Sequence, residues 1–128
     1  MEIVKERRNA SNLTRYYRVD ELTDNDAMIR LLCDIRKTEN LNISYILLSD
    51  LMNRSDEGSD NLRLSGNVDI EEFQNEVRQR NIDVISMNGT YKDKPVVIGA
   101  KLLRREIYIT IRLSNKVDID AFEKEIKL

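Results

Sequence analysis

Residues Arg63–Val77 read RLSGNVDIEEFQNEV, and residues Arg112–Ile126 read RLSNKVDIDAFEKEI. The two stretches coincide at eight of fifteen positions (Arg, Leu, Ser, Val, Asp, Ile, Phe and Glu), where unrelated segments share roughly one. A built-in structural repeat is the economical explanation, and it bears on fold before it bears on chemistry.

Each copy reads as a strand, a turn and a helix. Leu62 and Leu64 alternate with polar residues ahead of the first copy, as do Ile107, Ile109, Ile111 and Leu113 into the second. That is the period of a half-buried strand. After a short turn, Asp69 and Asp118 are expected at the helix N-cap, where a side-chain oxygen accepts from the unpaired amides of the first turn. The pairs Val68/Phe73 and Val117/Phe122 have the spacing of a hydrophobic staple. Along the helices, Ile70, Phe73 and Val77, and likewise Ile119, Phe122 and Ile126, fall on one face with charges opposite, so each helix is expected to lay an apolar stripe on a sheet.

Working outward, Leu13–Val19 alternates in the manner of a strand within an otherwise polar and basic segment. A helix follows, capped by Thr23 or Asp24, striped by Met28, Leu31, Leu32 and Ile35, and ending near residues 37–40. Residues 43–52 are apolar enough for helix or strand, and their position favours strand. The polar stretch 53–60 reads as an exposed hairpin connection. Beyond the first copy, Ile82–Met87 reads as a strand, with turn signals at Asn88-Gly89 and Lys92–Pro95. Residues 96–103 and 106–114 read as adjacent strands. The order predicts one α+β domain over residues 1–128, a mainly antiparallel sheet with three helices packed on one face. Segments 45–48 and 96–103 are apolar on both sides, so the second sheet face calls for a partner protein, a second copy of the chain or a curved sheet.

Composition narrows the chemistry. The chain has 128 residues, enough for one core, with 41% hydrophobic and 34% charged residues. It contains no His, which removes the commonest general base and metal ligand. Gly58, Gly66, Gly89 and Gly99 are too dispersed for a phosphate loop. A single Cys33, set between apolar helix positions, reads as a small buried hydrophobe, and no disulfide or zinc set can form. No catalytic residue, cofactor or metal is therefore expected. No apolar run is long enough for a membrane span or a secretory leader, which suggests a cytoplasmic protein.

Charge is distributed unevenly. Residues 86–116 hold Lys92, Lys94, Lys101, Arg104, Arg105, Arg112 and Lys116 against Asp93 and Glu106, whereas residues 21–85 are acidic. Lys101, Arg104, Arg105 and Arg112 are the candidate contacts for an anion or a partner. Basic residues guarding a sheet edge against aggregation would give the same pattern, and no aromatic residue is clearly interleaved with them. Elimination points to a non-enzymatic protein-interaction module of adaptor, chaperone, immunity or inhibitor type, acting on a partner surface or as a homodimer. The alternative is an anion- or nucleic-acid-binding regulator using the basic strands of residues 92–116.

Overall fold

A computed structural model describes residues 2–19, 24–49, 62–80 and 82–126. The expected hairpin connection at 53–60 and the end of the apolar segment at 50–52 lie outside these residues. The strands are β1 (Glu2–Arg8), β2 (Leu13–Val19), β3 (Leu41–Ser49), β4 (Leu62–Ser65), β5 (Val84–Tyr91), β6 (Lys94–Leu103) and β7 (Glu106–Leu113); the helices are α1 (Asn25–Arg36), α2 (Ile70–Arg80) and α3 (Lys116–Ile126). The seven strands of the described residues join one antiparallel sheet in the order β1-β2-β7-β6-β5-β3-β4. The chain is thus α+β, and the described part of the ambiguous segment 43–52 is strand.

Alternation within the strands builds the core. Leu13, Tyr17 and Val19 of β2, Ile107, Ile109, Ile111 and Leu113 of β7, Ile98 and Ala100 of β6, Ile85, Met87 and Tyr91 of β5, and Ile46 and Leu48 of β3 are all buried. Each large apolar side chain removed from water contributes about 1.5–3 kcal/mol. Helix α1 is capped by Asp24, whose Oδ1 accepts from Ala27 N at 2.7 Å, and it buries Met28, Ile29, Leu32 and Ile35. It touches β3, β6 and α2, whereas α3 touches β2 and β7. The Phe122 ring of α3 lies 4.8 Å from that of Tyr91, so α3 packs on the face of β5 that carries the core. Along β1 every residue is exposed, so its sequence carries no buried-face alternation and it is unrecognisable without its partner β2.

The two turn signals resolve differently: Lys92–Pro95 holds the turn between β5 and β6, and Asn88-Gly89 does not. Asn88-Gly89 is not a turn: β5 runs through it, and the hairpin closes at Lys92-Asp93, with φ of 50° and 65°. A Cβ on Gly89 would sit 1.9 Å from the Asn42 carbonyl oxygen, and one on Gly66 would sit 1.8 Å from that of Ile43. Both glycines flank the register shift of β3 between Ile43 and Tyr45, where the extra residue presses the backbone against its neighbours. The β6–β7 hairpin closes at Arg104-Arg105, again with positive φ (52° and 65°) in residues that have a Cβ.

The repeat copies enter their helices differently. Asp69 accepts from Glu72 N at 2.9 Å, the expected cap, and Val68 and Phe73 are both buried. In the second copy Asp118 is not the cap. Helix α3 begins at Lys116, and Asn115 Oδ1 accepts from Asp118 N at 2.9 Å. Asp118 lies inside the first turn, where its Oδ2 accepts from Lys94 Nζ at 2.9 Å and from Asn115 Nδ2 at 3.0 Å. Val117 is consequently 76% exposed, and no staple forms there.

Candidate functional site

Side chains directly opposite each other on paired strands share a sheet face. One row across the sheet therefore carries Lys5, Tyr16, Thr110, Gly99, Ser86 and Leu47 away from the core. A flanking row carries Arg18, Tyr108, Lys101 and Val84, and the row on the other side carries Arg112, Val97, Asn88 and Tyr45. On this face Lys5, Arg7, Arg18, Arg63, Lys101 and Arg112 outnumber Glu2 and Glu106. Arg18 pairs with Glu2 at 2.7 Å, and the Arg63 guanidinium lies 3.9 Å from the ring centroid of Tyr45.

The centre of the face is hollow because Gly99 has no side chain between Ser86 and Thr110. A Cβ there would come within 2.5 Å of Thr110 Oγ1. The depression, of about 450 Å³, is walled by Val4, Tyr16, Val97, Leu103 and Tyr108. Lys5 and Lys101 stand on its margin, the Lys5 ammonium lying 5.3 Å from the centroid of the Tyr16 ring. Among the described residues, no carboxylate pairs with either lysine. The Tyr108 hydroxyl donates to Glu106, which raises the phenol's pKa.

The four sequence candidates do not form one cluster. Lys101 and Arg112 share the open face, but they lie on opposite flanking rows, four positions apart along β7, or about 13 Å. Arg104 and Arg105 occupy the hairpin tip beyond Leu103. Because β6 and β7 are interior strands, Lys101 and Arg112 guard no sheet edge. Tyr108 and Tyr16 are the aromatic residues missing from the sequence reading. Tyr108 lies four residues before Arg112 and so on the same side of one strand, a parity visible in the sequence. The contribution of Tyr16 depends on the β2–β7 pairing, which is not.

Charged clusters elsewhere serve the fold. The side chain of Arg15 is buried on the core side of β2 and meets Glu6 at 2.8 Å, Asp120 at 2.9 Å and Glu123 at 3.4 Å, tying β1 and α3 to the sheet. An always-charged guanidinium needs such partners when buried. Burial pushes the Cys33 thiol pKa up, which disfavours the nucleophilic thiolate. Among the described residues, no group of three or more Cys, Asp and Glu could hold a metal ion, and no helix is long and apolar enough to cross a membrane. No protein-family profile, curated protein or solved structure matches the chain.

Proposed function

We propose that the protein is a non-enzymatic interaction module that engages a partner protein through the open sheet face. The observation that carries this reading is the face itself: tyrosines, half-buried Val97, Leu47 and Val84, and a surplus of cations, on the side of the strands away from the buried core. Tyrosine and arginine are the side chains that dominate binding hot spots, and an apolar centre with a charged periphery is the common anatomy of an interface. A second copy stacked face to face would oppose Lys101, Arg112 and Arg18 with cations of the same kind, so the charge pattern favours an acidic partner surface over a homodimer.

The test is capture from extracts of the native host with the wild-type chain, the Lys101→Glu/Arg112→Glu variant and a Lys124→Glu control on α3. A partner retained by the control and lost by the double variant is the expected result. A partner retained by all three chains, or a self-associated species in sedimentation that the double variant leaves intact, refutes the reading.

Single-stranded nucleic acid is the second reading, favoured by Tyr16 and Tyr108 sharing a face with Lys101 and Arg112. Three phosphate contacts from Lys5, Lys101 and Arg112 would make affinity fall with salt at a log–log slope of about −2. A slope that steep, abolished in the double variant, would establish this second function.

A further inference from the structure

We propose that the hollow around Gly99 is a binding site for a small free monocarboxylate with an aromatic or short aliphatic body. This goes beyond the protein-interaction reading and holds whether or not a partner covers the rest of the face. Its volume of about 450 Å³ falls within the ordinary range for small-molecule sites, and its walls of Val4, Val97 and Leu103 with the Tyr16 and Tyr108 rings suit an apolar body.

The polar groups specify the other end of the ligand. Lys5 and Lys101 bring ammonium donors that have no carboxylate partner among the described residues. Ser86 Oγ accepts from Asn88 Nδ2 at 3.1 Å, which leaves its own hydroxyl hydrogen to donate. The margin is thus rich in donors and positive, and Glu106 is not among the lining residues. An acceptor carrying one negative charge answers both features. A phosphate dianion is a poorer match, because stripping its water in so apolar a lining calls for an arginine fork or a cradle of backbone amides, and neither Arg18 nor Arg112 is among the lining residues.

The experiment is a titration of the full chain, followed by amide chemical shifts, with sodium phenylpropionate and with the uncharged alcohol phenylpropanol. Phenylpropionate is expected to saturate with Kd below about 1 mM. Its shift changes should centre on Tyr16, Val97, Gly99, Lys101, Tyr108 and Thr110. Lys5→Gln/Lys101→Gln, a surface change that should preserve the spectrum, is expected to weaken phenylpropionate by roughly tenfold or more and to leave phenylpropanol unchanged. Equal binding of acid and alcohol, shifts centred on the helix side, or an unaltered affinity in the double variant would each overturn the assignment. Gly99→Ala, if it folds, should reduce binding of both probes by narrowing the hollow.

Discussion

Aligned residue for residue, the copies Arg63–Val77 and Arg112–Ile126 diverge first where Gly66 stands opposite Asn115. Gly66 runs so close to β3 that no side chain fits, and its helix waits until Asp69 can cap it. Asn115 has room and a side chain of its own, so it caps the chain at once and α3 begins three aligned positions earlier than α2. The consequences spread through the motif. Val68 is buried and Val117 exposed; Asp69 is a cap, whereas Asp118 becomes a first-turn carboxylate bound to Lys94. Phe73 and Phe122 are fully buried in both. Matched sequence therefore preserves the buried anchor, while the neighbouring strand decides how each helix starts.

The sharpest way to break this comparison is to truncate the shared anchors. Phe73→Ala and Phe122→Ala should each cost about 3–5 kcal/mol in urea unfolding, as core deletions do. Phe122→Ala should be the costlier, because its ring also contacts Tyr91, a pairing that adds about 0.5–1.5 kcal/mol. Equal or reversed costs would show that the second copy gains nothing from that ring contact.

The divergent position supplies a smaller effect. Gly66→Ala should cost about 1–3 kcal/mol through forced backbone movement against Ile43, and Asn115→Ala about 1 kcal/mol through the lost cap. A neutral Gly66→Ala would mean that β3 yields to the turn, and crowding at Gly66 would then no longer explain the late start of α2.

Acid supplies the smallest. The Lys94 ammonium holds the Asp118 carboxyl below the usual carboxylate range, against the opposing effect of burial and with help from Asn115. A carboxyl whose folded pKa is depressed contributes stability that is complete above its unfolded value of about 3.9 and lost as pH falls through the lower folded value. The wild-type urea midpoint should therefore decline more steeply than that of Asp118→Asn as pH falls below about 4. Parallel declines would show that the Asp118 charge does not help to hold α3.

Much of the fold was legible because its strands alternate strictly. The bounds of β2, Leu13–Val19, coincide with the alternation in the sequence, and the burial of Ile107–Leu113 follows the predicted face. The failures have definite physical causes. Asn88-Gly89 carries a turn signature, but Gly89 is required by a close backbone approach rather than by a turn. The chain turns instead within the second signal, Lys92–Pro95, at Lys92-Asp93, where Asp is one of the residues that tolerate positive φ. Asp118 could not be placed without knowing that Asn115 had space to cap. The hollow was hidden for a related reason: Gly99 empties it only because Ser86, Thr110 and Tyr16 come from three other strands.

The pairing of β2 with β7 has a consequence in time. Leu13 lies opposite Leu113, one hundred residues later in the chain, and β7 also supplies the partner for β6. Closing so long a loop forfeits entropy before any strand contact repays it, and topologies ruled by distant pairings fold in milliseconds to seconds rather than microseconds. During synthesis at about 5–20 residues per second, β2 must wait several seconds or more for its neighbour. Throughout that interval β2, with its apolar Leu13, Tyr17 and Val19, has only the β1 hairpin beside it. Of the described strands β7 is made after the other six, so until it emerges β2 has β1 alone as its native neighbour.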